Sequence, residues 1–335
     1  MITPLDFLFD LFNPSRAFLP RALAAVTLAS LVTGVVGCHV MMRGMVFIGD
    51  AVAHSVFPGL AVAFVIGGNL VFGGLIAGVI TAVLVAIFSQ NQKLREDSVI
   101  GIFFAGSFAL GIVIISLAPG YSGSIQDFLF GSIVGVSRGD IAQAAAMSAG
   151  ILLLLWLFHR QLVTVSLDRE SAPALGLAVL WLDILLYVLV TVSVVISLQT
   201  LGNVLVLALI VVPASASRLA CRRLGTMMLF SPVFGVLCST VGLYFSWAFN
   251  LPTGGTIVLT MVAAFVLVWV FTWMRSRVEV TTVTATVAVA VAPEGSVTVT
   301  STWPAAPDAV PACADTDRRE PLKEAATPGR PGAAE

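Results

Sequence analysis

The sequence predicts an all-α protein, a polytopic bundle of about eight to nine transmembrane helices. Of its 335 residues, 58% are hydrophobic and only 10% are charged, and the mean hydropathy is +1.02, whereas a soluble domain carries about 25% charged residues. The charges are also segregated, because none lies between Asp97 and Asp127 and none between Arg223 and Arg275. A membrane-spanning helix needs about 20 apolar residues, so these gaps hold one span and two spans respectively.

Apolar runs bounded by charged residues or by Gly/Pro breaks predict the individual helices. Basic residues follow the third, fifth, seventh and ninth runs. Because Arg and Lys concentrate in cytoplasmic loops, this pattern places the C-terminus in the cytoplasm and, for nine spans, the N-terminus outside. The expected location is therefore the plasma membrane, with lipid around the bundle. In chain order the runs are at about 19–42, 48–67, 70–88, 99–117, 140–158, 179–199, 203–219, 228–249 and 254–274.

The chain changes character at residue 278. Val-Thr-Ala repeats give way there to a Pro/Ala/Asp/Arg-rich tail that ends in PGRPGAAE. Such a segment cannot bury enough apolar surface to order itself. We therefore expect a transmembrane domain over residues 1–277 and a disordered cytoplasmic tail over residues 278–335.

Asp50 and His54 are the strongest candidates for chemistry, because ionisable groups inside a membrane are costly and need a function or a partner. Their i,i+4 spacing within IGDAVAHSVFPG puts both on one helix face. A carboxylate beside an imidazole can bind a divalent transition metal, relay protons or form a satisfied ion pair. Asp50 could also simply cap the helix. Pro58 favours a transport site, because it predicts a kink and exposed backbone at membrane depth.

A charged turn, residues 166–177 with the sequence SLDRESAPALGL, is the second candidate site. If the turn lies on the membrane surface, Asp168, Arg169 and Glu170 would be exposed to a soluble partner. A plain solvated loop is the alternative. We refer to residues 166–177 as the docking loop.

Other functions are excluded by what the sequence lacks. Neither of the two lysines, Lys93 and Lys323, follows a glycine, so the chain has no P-loop for ATP. It also has no H-E-x-x-H motif, and the net charge of −1 argues against binding nucleic acid. We therefore predict that the chain is not an enzyme and holds no permanent cofactor.

Five sequence blocks, in the same order as in the family, resemble the permeases of ATP-binding-cassette importers for zinc, manganese and iron. Together they indicate a resemblance over about residues 16–275. Departures from the family pattern are GCHVMM at 37–42, which includes His39, and the long tail. His39 is either an extra ligand or an idiosyncrasy of this chain, and we favour the latter. The blocks are MMRGMVFIGDAVAHSVFPGLAVAFVIG at 41–67, DFLFGSIVGVS at 127–137, VSLDRESAPALGL at 165–177, LGNVLVLALIVVPASASRL at 201–219 and NLPTGGTIVLT at 250–260.

The resemblance implies a bundle of the ABC importer permease type and a set of partners. A homodimer or paired permease would bind two cytoplasmic ATP-binding subunits and receive metal from an extracellular metal-binding lipoprotein or periplasmic protein. Asp50 and His54 would line the metal pathway, and the docking loop would contact the ATPase. The transported ion would be zinc, manganese or ferrous iron, since an Asp/His pair suits all three.

The sequence is compatible with more than one energy source for transport and more than one set of metal ligands. A proton-coupled secondary metal transporter, with Asp50 and His54 as its relay, is the alternative to an ATP-driven importer. One Asp and one His are also too few ligands for a transition metal, which takes four or more. We therefore hypothesise that Asp50 and His54 of two subunits face each other across a two-fold axis. A site completed within one subunit by backbone oxygens and waters is the other possibility.

Overall fold

The structure is a computed structural model that describes residues 18–45, 47–90, 93–117 and 137–290. Of Arg138, Gln199 and residues 276–290 it describes the backbone alone. This described part contains α-helices and a short 3-10 turn at Ala172–Leu175 but no strand, so the predicted all-α class is confirmed. The helices are α1 Phe18–Met42, α2 Ile48–Ser55, α3 Phe57–Val65, α4 Leu70–Phe88, α5 Glu96–Ser116, α6 Arg138–Leu167, α7 Val179–Leu201, α8 Asn203–Ala220, α9 Leu224–Phe249 and α10 Thr253–Ala290.

The described helices include nine that are long and apolar enough to cross a membrane, with α2 and α3 together making one of them. Large apolar side chains such as Trp156 and Leu259 are 77% and 72% exposed on the outside of the bundle. A water-soluble fold would bury such side chains, whereas a lipid-facing surface needs them. The predicted membrane bundle of about eight to nine spans is therefore confirmed.

Helix α1 is the central helix of the bundle and packs against α6, α7, α8 and α9. In its most apolar stretch 67% of the residues are buried, against 11% in α10. Gly37 permits the contact with α8, because a Cβ at this position would overlap the carbonyl oxygen of Ile210. Small residues at such crossings allow membrane helices to approach closely.

The chain divides into two compact units, Met1–Met274 and Arg275–Glu335. The backbone of α10 stays helical to Ala290, whereas the sequence predicts a disordered tail from residue 278. No Pro or Gly interrupts residues 278–290, so nothing in the local sequence ends the helix earlier. Residues 291–335 lie outside the described part, as does the sequence block at 127–137 except for Ser137. The division into a domain at 1–277 and a disordered tail therefore stays a prediction.

Candidate metal site

The span that holds Asp50 and His54 is divided into two short helices. Helix α2 ends at Ser55, and α3 begins at Phe57 with Pro58 in its first turn. Pro is favoured there because the N–H that it lacks would have no intrahelical partner. The chain continues the helical path by hydrogen bonds from the N–H groups of Gly59 and Leu60 to the carbonyl of Val56, at 3.1 and 3.2 Å. The structure thus has a helix break at Val56, two residues beyond His54.

Asp50 and His54 contact each other on one face of α2. The distance from Asp50 Oδ1 to His54 Nε2 is 3.5 Å, and the side chains are 37% and 22% exposed. Phe47 lies on the same face and is 71% exposed. A carboxylate facing lipid would be costly, so this face must meet water or another protein chain.

Asn203 is a third polar group of this site, and it is not among the site residues predicted from the sequence. Its Nδ2 lies 3.4 Å from Asp50 Oδ1 and 3.4 Å from His54 Nε2. Gly202, with φ 80°, joins α7 to α8 and sets Asn203 at the start of α8. The positive end of the α8 dipole therefore lies close to the Asp50 carboxylate. The sequence signal for Asn203 was an amide side chain directly after a glycine, at the start of an apolar run.

Aromatic side chains from α5 form an apolar wall beside the imidazole. The ring centroids of Phe104 and Phe108 lie 5.3 and 5.2 Å from that of His54, and both rings meet it edge-on. Phe57, at the start of α3, packs on Phe108 with a centroid distance of 5.7 Å. These rings restrict the imidazole and exclude water from one side of it, which strengthens electrostatic interactions at the polar face.

One carboxylate and one imidazole are donor types that suit first-row divalent metals, and the Asn203 Nδ2 faces both of them. The described residues contain no group of three or more His, Cys, Asp or Glu side chains that could hold a metal ion. A single subunit thus offers a partial ligand set. The Asp50 and His54 side chains lie on a partly exposed helix face rather than in an enclosed binding site.

The docking loop differs in one respect from the sequence prediction. Asp168 and Glu170 are exposed, and Asp168 Oδ1 accepts a 3.0 Å hydrogen bond from the Ser171 N–H. Hydrogen bonds from Ser171 hold the pKa of Asp168 below its usual range. Arg169, predicted to be exposed with them, instead turns inward and pairs with Glu96 and Asp183. Arg169 turns inward because Asp183, which is fully buried, and Glu96, which is 24% exposed, both need a cation.

His39 takes part in a different contact. Its side chain is fully buried, and its ring centroid lies 5.8 Å from that of His159 on α6. Neither ring nitrogen has a hydrogen-bond partner within the described part of the chain. The structure therefore does not add His39 to the group formed by Asp50, His54 and Asn203.

Comparison with known proteins shows what this chain is similar to. The sequence model of the ABC 3 transport family matches residues 15–272. The manganese transport system membrane protein MntC of Halalkalibacterium halodurans is 38% identical over 268 residues, which are 80% of this chain and 91% of that protein. A probable iron transport system membrane protein of Haemophilus influenzae is 33% identical, over 80% of this chain and 94% of that protein.

A solved structure has the same architecture. The complex titled PsaBC from Streptococcus pneumoniae in complex with Fab includes a chain that is 33% identical and superposes with a TM-score of 0.69. The match covers 80% of this chain and 95% of that chain. The resemblance seen in the sequence blocks is thus confirmed by sequence and by fold.

Proposed function

This chain belongs to the ABC 3 transport family, and we propose that it is the permease subunit of an ATP-driven importer of divalent transition-metal ions. It is a multi-pass protein of the plasma membrane and a transporter subunit rather than an enzyme. The observation that supports the proposal most is the group formed by Asp50, His54 and Asn203 beside a broken span. Discontinuous helices at membrane depth are typical of transport sites, and these donor types suit a divalent metal.

We propose Mn²⁺ or Fe²⁺ as the cargo. Relatives are named as manganese and iron transport proteins, and a carboxylate beside an imidazole supplies the hard and borderline donors that both ions accept. Zn²⁺, which the sequence also allows, is a competitor to be measured in the same assay. The metal is the transported substrate, and Asp50 and His54 bind it transiently.

The partners follow from the same family membership. Cytoplasmic ATP-binding subunits would supply the energy, and an extracellular or periplasmic metal-binding protein would deliver the ion. The docking loop is the proposed ATPase contact, because Asp168 and Glu170 are exposed beyond the end of α6, in a loop whose predicted side is cytoplasmic. Acidic side chains there offer charge complementarity to a basic surface of the ATPase.

A second copy of the permease would complete the site. Phe47, which is exposed, and Asp50 and His54, which are partly exposed, share one face of α2, and a two-fold axis along this face would bring two such faces together. Two carboxylates and two imidazoles would then be available. Cysteine at Phe47 tests this arrangement, because a short crosslinker should join two subunits there. Cysteine at Val52, which is 7% exposed, is the matched control and should not crosslink.

Uptake by proteoliposomes tests the proposed function. Vesicles containing this chain and its ATPase subunit, supplied with the metal-loaded binding protein, should accumulate Mn²⁺ or Fe²⁺ only with ATP. Asp50→Asn and His54→Gln should each abolish accumulation while leaving complex assembly unchanged. Asp97→Asn, at an exposed aspartate outside the site, should transport normally.

The alternative mechanism gives the opposite result in these vesicles. Accumulation without ATP, abolished by a protonophore, would favour a proton-coupled secondary transporter with Asp50 and His54 as its relay. Normal ATP-driven uptake by both site variants would overturn the site assignment and leave the transport function standing.

A further inference from the structure

A buried ion-pair network adjoins the docking loop. At its centre is Asp183, in the first turns of α7, whose side chain is fully buried. Its Oδ1 lies 2.6 Å from Arg43 Nη1, and its Oδ2 lies 2.7 Å from Arg169 Nη2. Gln90, just beyond the end of α4, donates a hydrogen bond to Oδ2 at 2.9 Å. One carboxylate therefore holds three segments that are distant in sequence.

The two arginines of the network belong to different parts of the transporter. Arg169 is in the docking loop and also pairs with Glu96, the first residue of α5. Arg43 is in the connection between α1 and α2, shortly before α2 begins at Ile48. Asp183 therefore joins the proposed ATPase contact directly to the connection that leads into the helix of Asp50 and His54.

Arg43 contacts the docking loop at a second point. Its Nε donates a 3.2 Å hydrogen bond to Ser166 Oγ, where α6 runs into the loop. The side chain of Arg43 is only 4% exposed, so water cannot readily replace these partners. Because a buried charge is costly when it loses its partner, a displacement of the docking loop should carry Arg43 with it rather than break the network.

The packing behind α2 is loose at one point. A small pocket with room for about one water molecule lies there, lined among others by Val52, Ser55, Thr81 and Tyr187. Gly44, which follows Arg43, has a φ of 74° and forms a turn that most side chains would disfavour. Close-packed interiors transmit a shift from one element to the next, so a shift of the α1–α2 connection should reach α2.

We propose that Asp183, together with Arg43 and Arg169, couples the docking loop to the metal-site helix. Binding or release of nucleotide by the ATPase displaces the docking loop, and the network transfers this displacement to the α1–α2 connection and so to Asp50 and His54. This inference rests on the proposed function. None of the three residues touches the metal, so each is a positioning residue.

The test is the amount of metal taken up per ATP hydrolysed by the reconstituted complex. Arg43→Met keeps an apolar stem of similar length, and Asp183 still has Arg169 and Gln90 as partners, so the fold should survive. We expect ATPase binding and the rate of hydrolysis to stay at wild-type levels, while uptake per ATP falls about tenfold, within the usual range of coupling between sites. Arg43→Lys, which keeps the charge, should recover part of the loss.

Arg160→Met is the matched control, because Arg160 is exposed on α6 and takes no part in the network. This variant should behave as wild type.

If Arg43→Met does not reach the membrane, the double variant Arg43→Met/Asp183→Asn replaces it. That pair of changes removes one cation and one anion and leaves Arg169 paired with Glu96. Wild-type uptake per ATP by either folded variant would overturn the coupling role. Failure of both to fold would assign these residues to stability alone and also overturn it. A wild-type complex without ATP-driven uptake would instead refute the proposed function.

Discussion

Replacement of Asp183 by alanine probes the energetics of the buried network. The change strands Arg43, whose side chain is 4% exposed and whose Nη1 lies 2.6 Å from the carboxylate. Arg169 is affected less, because it is 33% exposed and keeps Glu96 as a partner. The expected loss of folding stability therefore comes chiefly from one unpaired, buried guanidinium, that of Arg43.

The size of the effect follows from this burial. Removing one partner of a buried ion pair costs about 3–5 kcal/mol, and the residual pairing of Arg169 favours the lower end, about 3 kcal/mol. Since 1 kcal/mol shifts the Tm of a medium-sized domain by about 2–4 °C, the expected loss is roughly 6–12 °C. Arg43→Met in the same chain removes the stranded charge and should restore most of this loss.

Thermal unfolding of the purified chain in detergent measures the shift. Asp97→Ala serves as the control, because Asp97 is exposed and surface substitutions usually change stability by no more than about 0.5 kcal/mol. A shift for Asp183→Ala no larger than that of Asp97→Ala would refute the reasoning. A double variant as unstable as the single one would also refute it, because the stranded charge would then not be the cause.

Three further predictions concern the site, the docking loop and the tail. Asn203→Ala removes one amide from Asp50 and His54, and the loss of about 1 kcal/mol for a hydrogen bond should raise the apparent KM for metal roughly fivefold; an unchanged KM would exclude Asn203 from the site. Charge reversal at Asp168 and Glu170 should lower the amount of ATPase that co-purifies, and undiminished stoichiometry in the double variant would argue against this contact. Truncation after Arg277 should leave uptake and Tm unchanged, because residues 278–335 lack the apolar content of a packed domain; failure to insert or transport would show that the tail is structural.

The membrane architecture could be predicted because the physical constraint is local. Lipid requires long apolar helices, and the gaps without charge, such as Arg223 to Arg275, mark where they lie. The contact between Asp50 and His54 was predictable for the same reason, since i,i+4 spacing fixes it within one helix. Pro58 likewise identified the break between α2 and α3.

The remaining parts of the site depend on contacts between distant segments. Asn203 is brought to Asp50 only by the way α8 packs beside α2, and no sequence period encodes this. Arg169 looked like one of three surface charges, because Asp183 and Glu96 had no visible link to the docking loop. Arg43 lay within a family block yet showed no sign of its partner on α7. Such pairings become visible only when the helices are assembled.

The central claim is that His54 binds the transported metal, and pulsed electron paramagnetic resonance of Mn²⁺ held in the assembled transporter tests it most directly. His54 Nε2 lies 3.5 Å from Asp50 Oδ1, so a metal held by both groups would have an imidazole nitrogen as a direct ligand. We expect echo modulation from that nitrogen in the wild type and in Asp97→Asn, and its loss in His54→Gln. Unchanged nitrogen modulation in His54→Gln, with Mn²⁺ still bound, would show that His54 is not a ligand.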